Sequence, residues 1–113
     1  MTGCIFCKII DGSLPAHKYY EDDNVLAFKD IAPKAPFHAV IIPKTHIASA
    51  ADIDKTNSNM IAAIFEAAAA IAKENNLDDG FRIVTNSGDH GCQVVPHIHF
   101  HLLGGQKLSG DMG

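Results

Sequence analysis

The stretch His97-Ile98-His99-Phe100-His101-Leu102-Leu103-Gly104-Gly105 decides how this chain folds. Histidine and large apolar residues alternate along it, and the side chains of a β-strand point alternately to opposite faces of a sheet. The pattern predicts a strand over about 95–103 that buries Ile98, Phe100 and Leu102 behind a row of imidazoles. Such a row is typical of a functional face, because imidazole exchanges protons near neutral pH.

The spacing of the imidazoles restricts what they can bind. A strand rises about 3.3 Å per residue, so the Cα atoms of His97 and His101 should lie about 13 Å apart. Zinc–nitrogen bonds are about 2.0–2.1 Å long, so one zinc ion cannot easily bind all three rings, although an i, i+2 pair could share it. A phosphate suits the row better, since imidazole can donate hydrogen bonds, transfer protons or attack phosphorus. The alternative is a polar sheet face that merely uses histidine.

The chain as a whole predicts a single α+β domain over residues 1–113. Hydrophobic residues make up 47% of it and charged residues 19%, as in ordinary globular domains. Alternation and turn residues predict further strands over about 17–20, 24–29, 37–43 and 81–86. Helical spacing of apolar residues predicts one long helix over about 57–75, and 4–10 predicts a short N-terminal helical turn. Strands on both sides of one helix favour a mainly antiparallel sheet.

Several single residues carry separate expectations. Phe65 lies slightly off the apolar stripe of the long helix, where it could widen the core contact or face a second subunit. Cys92 is expected to be a small buried or half-buried thiol rather than a ligand. His17, His38 and His90 lie outside any ligand-like spacing, and we interpret them as surface or internally satisfied residues.

Charge and cysteine content restrict the partners and the compartment. The net charge of −4 and the single arginine, Arg82, argue against a nucleic-acid partner, which usually needs clustered basic residues. No apolar run reaches the about 20 residues that span a bilayer, and Met1-Thr2-Gly3-Cys4 does not resemble a signal segment. Three cysteines fit a reducing compartment better than a disulfide framework. We therefore expect a cytoplasmic protein without nucleic-acid or membrane partners.

The alternating histidines followed by Leu102-Leu103 resemble the motif of the histidine triad (HIT) superfamily. The similarity continues through CIFCKII at 4–10, VLAFKDI at 25–31, IPKTH at 42–46 and LGG at 103–105. Within the superfamily the chain is most similar to the Hint branch, which hydrolyses nucleoside phosphoramidates and related adenylates. The resemblance implies a purine nucleotide ligand, a nucleotidyl-histidine intermediate and a homodimer whose sheets run together. The alternatives are a dinucleoside polyphosphate hydrolase of the Fhit type and a nucleotide-binding regulatory protein with little turnover.

The resemblance also implies roles for single residues. His99 matches the family's nucleophile and His101 its phosphate-binding partner. Asp30 matches the acidic residue that accepts hydrogen bonds from the ribose hydroxyls, while Asn86 and Gln93 match polar groups around the phosphate. The positions that form the wall around the base match Ile5, Phe6, Ile9, Leu14, Phe28 and Ile31.

Val94 departs from the pattern of the Hint branch. It stands three residues before His97, where Hint proteins often carry a serine that contacts the phosphate and the leaving group. Valine has no hydroxyl to offer there. The resemblance therefore implies transfer of the nucleotide to water more firmly than it implies a particular leaving group.

Cys4 and Cys7 form a C-x2-C pair, which can bring two thiolates to one metal but is a weak motif alone. Two reduced cysteines or a redox pair are alternatives, although the redox pair lacks a βαβ context. The resemblance implies a structural zinc, with His46 and His97 completing a Cys2His2 set. Four protein ligands leave no open position for an activated water. If zinc is absent, His97 could instead assist the leaving group.

Overall fold

A computed structural model describes residues 3–112, and residues 1, 2 and 113 of the predicted domain lie outside it. Over the described range, an antiparallel sheet in the order β1-β2-β3-β5-β4 packs with two helices. Its strands are β1 Lys18–Glu21, β2 Val25–Lys29, β3 Phe37–Pro43, β4 Phe81–Val84 and β5 Phe100–Gly104. The helices are α1 Ile5–Ile10 and α2 Ser58–Glu74, with a 3-10 turn at Ala50–Asp52. The predicted α+β architecture is confirmed, and no helix within 3–112 is long and apolar enough to cross a membrane.

The two faces of the sheet pack against different helices because alternate strand residues point in opposite directions. On one face α2 presents a stripe of buried isoleucine and alanine, and the alanines let the helix approach the sheet closely. The residues buried there include Val25, Ala27, Ala39, Ile41, Ile98, Phe100 and Leu102. The other face is smaller and packs against α1 through Leu26, Phe28, Val40 and Ile42.

Strand register places one triad histidine on the smaller face. Phe28 pairs with Val40, and Val40 pairs with His101 on the next strand. Directly opposite residues of an antiparallel pair point to the same side of the sheet. His101 therefore lies on the α1 face, in a row with Phe28 and Val40, and Val84 of β4 completes that row.

The predicted strand over 95–103 is only partly correct, because β5 begins at Phe100. The alternation of buried apolar residues does extend back to Ile98, but the backbone there bonds to loops instead of a neighbouring strand. The amide of Ile98 donates to the carbonyl of Ile47 at 2.6 Å, and the carbonyl of His99 accepts from the Thr85 hydroxyl at 2.8 Å. His97 and His99 thus sit in an extended segment that enters β5.

The C-x2-C pair lies at the start of α1. Cys4 is the N-cap of this helix, and its sulfur accepts a hydrogen bond from the amide of Cys7 at 3.2 Å. A side chain that accepts from the first turn satisfies an otherwise unpaired amide. The helix ends at Ile10 with Asp11 as its C-cap, and Gly12 then adopts a φ of +86° that glycine tolerates. The cap places both sulfurs at the same end of α1.

Candidate active site and metal site

A cavity of about 730 Å³ opens on the α1 face of the sheet, within the size range of small-molecule sites. Helix α1 and strand β2 form one side of it, and the loop between β4 and β5 forms another. The predicted site residues that line it are Ile5, Phe6, Ile9, Phe28, Asp30, Ile31, Asn86, His99 and His101. The cavity is also lined by Val94, the position that departs from the Hint pattern, and by residues to which the resemblance gave no role, among them His17, Lys29 and Cys92.

Two predicted binding residues lie outside the cavity lining. Leu14 is exposed in the segment between α1 and β1. Gln93 holds its own loop in place, since its side-chain amide donates to the carbonyls of Ala48 at 2.7 Å and Val95 at 2.9 Å. Its side-chain oxygen accepts from the amide of Gly88 at 2.9 Å. Both the nitrogen and the oxygen of the Gln93 side-chain amide thus have partners within the protein, and contact with a phosphate would compete with these hydrogen bonds.

Cys92 is exposed and lines the cavity, so the expectation of a buried or half-buried thiol is wrong. Its backbone lies in the left-handed region at φ +61°, and its amide donates to the carbonyl of Asp89 at 3.0 Å. This tight turn directs the chain back toward the cavity. A sequence pattern that contains no glycine at this position gives no sign of such a turn.

A backbone carbonyl fixes the tautomer of the neutral His99 ring. Its Nδ1 lies 2.8 Å from the carbonyl oxygen of His97, and a carbonyl can only accept a hydrogen bond. In the neutral ring the proton is therefore on Nδ1, and Nε2 carries a lone pair. His99 is buried between Phe6 and His101, with ring centroids 5.1 Å and 5.2 Å away. The ring is thus held at the cavity wall with one unprotonated nitrogen.

Neutral His101 is the opposite tautomer from His99, and its hydrogen bond with His38 determines this. The amide of Lys34 donates to Nδ1 of His38 at 3.0 Å, so the proton of neutral His38 is on Nε2. That nitrogen lies 2.8 Å from Nδ1 of His101, which must then accept. The remaining proton of His101 is on Nε2, so the ring offers an N–H donor beside the lone pair of His99. The sequence interpretation of His38 as satisfied is correct, but its partner lies 63 residues away.

Burial keeps both rings of this pair neutral. It lowers the pKa of His38 below its ordinary value of 6.5, and the nearby Asp30 carboxylate offsets only part of that effect. Burial also lowers the pKa of His101, and the neighbouring rings of His99 and His38 lower it further. A carboxylate oxygen of Asp30 lies 3.3 Å from Nε2 of His38, but the neutral ring makes this a polar contact instead of an ion pair.

Asp30 lies at the end of β2, on the cavity wall. One of its carboxylate oxygens accepts from the amide of Ala32 at 2.8 Å, which fixes the orientation of the side chain. The other oxygen lies 3.9 Å from Nδ1 of His101. A carboxylate is a pure acceptor with several lone pairs, so it can still accept from a pair of hydroxyl groups.

A second group of polar side chains lies at the start of α1 and forms the predicted metal site. The ligand atoms of Cys4, Cys7, His46 and His97 all lie within 4.8 Å of one another. Nδ1 of His97 is 3.3 Å from the Cys4 sulfur and 3.2 Å from Nδ1 of His46. Tetrahedral zinc, with bonds of about 2.3 Å to sulfur and about 2.0 Å to nitrogen, separates such pairs by roughly 3.5 Å and 3.3 Å. The donor set fits zinc.

A backbone carbonyl also fixes the tautomer of His97 and leaves its lone pair on the nitrogen near these sulfurs. Its Nε2 lies 2.9 Å from the carbonyl oxygen of Pro43, so Nε2 carries the proton and Nδ1 the lone pair. The ring is fully buried and does not line the cavity. Both nitrogens of His97 therefore have partners outside the cavity lining, and its predicted catalytic role stays a prediction.

The Cys7 thiol is poorly stabilised as an anion without a cation. Burial raises the pKa of Cys7 to about 11, and the adjacent Cys4 adds to the shift. The sulfurs of both cysteines and one ring nitrogen from each histidine converge on one point, and all four are atoms that zinc binds. A bound cation would stabilise the thiolates directly, because metal binding deprotonates a ligating thiol.

Comparison with known proteins agrees with this geometry. Residues 3–112 match the family described as "Scavenger mRNA decapping enzyme C-term binding". A solved HIT family hydrolase from Legionella pneumophila is 45% identical, with a TM-score of 0.95 over 98% of this chain and 100% of that one.

Two curated plant relatives are nearly as similar over most of their length. A "14 kDa zinc-binding protein" from Zea mays is 42% identical over 111 residues, covering 96% of this chain and 87% of that protein. The "Adenylylsulfatase HINT1" of Arabidopsis thaliana is 40% identical over 111 residues, covering 96% of this chain and 76% of that protein. The fold, the triad and these matches together show that the chain belongs to the histidine triad superfamily.

Proposed function

We propose that this protein is a purine nucleotide-binding hydrolase that cleaves nucleoside phosphoramidates or adenylates through a nucleotide attached to His99. The observation that carries the proposal is that the two adjacent imidazole rings are opposite tautomers. His99 offers a lone pair on Nε2 and His101 offers an N–H on Nε2, both at one cavity wall. Phosphoryl transfer to an imidazole needs this pairing of a nucleophile with a donor to a phosphate oxygen. The hydrolase and adenylylsulfatase names of the relatives support the same class of reaction.

The reaction proceeds in two displacements. Nε2 of His99 forms a bond to the α-phosphorus, the bond to the leaving nitrogen or oxygen breaks, and its electron pair departs with that atom. A departing amine takes a proton from solvent at the open mouth of the cavity, whereas a carboxylate or sulfate needs none. The carbonyl of His97 stabilises the positive ring through Nδ1–H. Water then attacks phosphorus, the bond to His99 breaks, and the water's surplus proton passes to solvent.

The nucleoside lies on the β2 side of the cavity in this proposal. Phe6 and Phe28 meet edge to face with centroids 5.7 Å apart and, together with Ile9, provide an apolar wall for a purine. Asp30 accepts from the ribose hydroxyls, and Asn86 contacts the phosphate from the opposite side. His38 is a positioning residue, because it keeps the proton of His101 on the nitrogen that faces the phosphate.

Zinc has a structural role in this proposal. Cys4, Cys7, His46 and His97 would hold it, and the printed name of the Zea mays relative supports that assignment. When bound, the metal supplies a link between the start of α1 and the segment that precedes β5. Because four protein ligands complete a tetrahedral site, we assign it no part in the displacement.

We extend the proposal to a cytoplasmic homodimer. Strand β4 is an edge of the sheet, and Phe81 within it and Phe65 of α2 are both about half exposed. Edge strands and exposed aromatic residues favour pairing with a second copy. The proposal predicts that Phe65→Glu lowers the apparent mass measured by light scattering toward one chain. An unchanged dimer mass in this variant, or a monomeric wild type, would contradict the assignment of this surface.

The experiment that tests the function is hydrolysis of an adenosine phosphoramidate by the wild type and His99→Ala. Loss of the nucleophile should reduce kcat/KM by about 10³-fold or more. Rapid quenching of the wild-type reaction should trap AMP on His99, detected as an added mass on the peptide that contains it. Exposed His90, which lies outside the cavity, supplies a matched control, and His90→Ala should retain full activity.

Equal rates in the wild type and His99→Ala, with no trapped nucleotide, would refute the mechanism and leave a nucleotide-binding protein. A dinucleoside polyphosphate tested in parallel distinguishes the proposed phosphoramidate hydrolase from a dinucleoside polyphosphate hydrolase. Faster turnover of that substrate than of the phosphoramidate would favour it.

A further inference from the structure

We propose that Cys92, Val94 and Val95 form an apolar subsite for the leaving group, and that Val94 determines which leaving groups the enzyme prefers. This inference rests on the proposed function and specifies its substrate class. The preferred substrates are nucleotide derivatives whose leaving group carries an uncharged hydrocarbon chain. Derivatives with a cationic leaving group are disfavoured.

The order of the strands separates the two ends of the cavity. Phe28, Val40 and His101 form a row from β2 across β3 to β5, and Val84 of β4 continues the row beyond His101. The wall around the base and Asp30 lie on the β2 side of the reactive rings. Asn86, and the loop that follows it, lie on the β4 side. With the nucleoside on the β2 side, the β4 side is available to the group that departs from phosphorus.

The lining on the β4 side is mostly apolar. Past Asn86, the loop contributes the side chains of Cys92, Val94 and Val95 to the cavity. Asp89, the one acidic residue in 85–99, does not line it. A cationic leaving group would therefore meet no opposite charge from this loop and would lose hydration against an apolar surface.

A bound leaving group would cover much of the exposed Val94 side chain. This side chain is 89% exposed although it lines a cavity, so a hydrocarbon group bound beside it would cover apolar surface that water now contacts. Burying a valine side chain is favourable because it removes apolar area from water. Isolated exposed valines are ordinary, but this one adjoins two further weakly polar side chains of a reactive cavity.

The loop is held in shape before any substrate binds. Gln93 lies between Cys92 and Val94, and its side chain bonds to Gly88, Ala48 and Val95. These bonds tie both ends of the loop to each other and to the segment after β3. A preformed apolar wall can discriminate between leaving groups without an ordering cost.

The test compares two adenosine phosphoramidates that differ only at the far end of the leaving group. One carries pentylamine, and the other carries cadaverine, the same chain with a terminal ammonium group. The wild type should prefer the pentylamine derivative in kcat/KM by about tenfold, the discrimination typical of an apolar pocket. Val94→Asp should abolish or reverse this preference, because the new carboxylate attracts the ammonium group and not the alkyl chain.

Val94→Ile is the matched control, since it keeps the surface apolar and should keep the preference. Both variants should still form the His99 adenylate, which separates specificity from catalysis. Equal rates on the two substrates in the wild type, or the same ratio in Val94→Asp, would overturn the subsite while the proposed hydrolase stands. Failure of the wild type to turn over either substrate would overturn both.

Discussion

Within residues 3–112, two groups of side chains place ligand atoms close enough together to hold a metal ion, and they differ in the direction of their hydrogen bonds. We call Cys4, Cys7, His46 and His97 the thiol cluster, and Asp30, His38 and His101 the imidazole cluster. In the thiol cluster, the carbonyl of Pro43 accepts a hydrogen bond from Nε2–H of neutral His97, which leaves the lone pair on Nδ1, near the sulfurs. In the imidazole cluster, the amide of Lys34 donates to His38, and His38 donates in turn to His101.

The difference shows that the spacing of ligand atoms alone does not identify a metal site. The thiol cluster has four converging ligand atoms and a Cys7 thiol with a raised pKa, so a bound cation would stabilise it. In the imidazole cluster, both nitrogens of His38 and Nδ1 of His101 already have hydrogen-bond partners, and Nε2–H of His101 remains as a donor. The backbone groups at Pro43 and Lys34 set the two outcomes, and neither belongs to a metal-ligand or catalytic motif.

Zinc should therefore bind to the thiol cluster and not to the imidazole cluster, and this prediction carries the largest expected effect. Adding zinc to metal-free wild type at 1,000 times its Kd should raise the free energy of unfolding by about 4 kcal/mol. Cys7→Ala should lose most of that gain, because it removes a thiolate ligand. Thermal or chemical unfolding with and without zinc measures both, and one bound zinc per chain is expected by metal analysis.

His38→Gln is the control for the zinc measurement. It changes the imidazole cluster and should respond to zinc as the wild type does. If His38→Gln lost the zinc response and Cys7→Ala kept it, the two clusters would have been assigned the wrong way round.

The next prediction concerns catalysis, which should depend on the imidazole cluster and not on the thiol cluster. His38→Leu removes the donor to His101, so the outer nitrogen of His101 is no longer fixed as an N–H. We expect kcat/KM for an adenosine phosphoramidate to fall by about tenfold to a hundredfold, as is common for residues that orient a functional group. His38→Gln should recover much of the loss, because its amide can accept from Lys34 and donate to His101.

Zinc content distinguishes positioning from damage to the fold. Both His38 variants should bind zinc like the wild type, since the thiol cluster does not include His38. Equal activity of His38→Leu and His38→Gln would show that the hydrogen-bond direction at His101 has no part in the reaction.

The sequence predicted most of the fold because its strongest patterns are local. Strand β3 occupies the predicted 37–43, an apolar run that starts after Pro36 and ends at Pro43. Helix α2 lies within one residue of the predicted 57–75 at each end. The start of β5 was misplaced because alternation reports which side chains are buried, whereas a strand also needs a hydrogen-bonded neighbour.

The site was harder to predict wherever distant segments combine. The pairing of His38 with His101 depends on the register of β3 against β5, which no local pattern contains. The engagement of both His97 nitrogens likewise depends on a carbonyl from another segment. Gln93 matches a family position but is used inside its loop, and the exposure of Cys92 follows from a turn without a glycine signal.

The smallest expected effect is a pH dependence of stability that originates in the imidazole cluster. Burial lowers the pKa of His38 below the ordinary 6.5, so the folded protein keeps this ring neutral while the unfolded chain takes up a proton below that pH. The stabilisation is fully present above pH 6.5 and is lost as the pH falls from there through the lowered pKa. Chemical unfolding of the wild type and His38→Gln at several pH values measures the difference. Because both proteins keep the same thiol cluster, its own pH dependence cancels, and the variant should show a shallower loss. Parallel pH profiles would mean that His38 is not held neutral, and the hydrogen-bond chain that separates the two clusters would then be wrong.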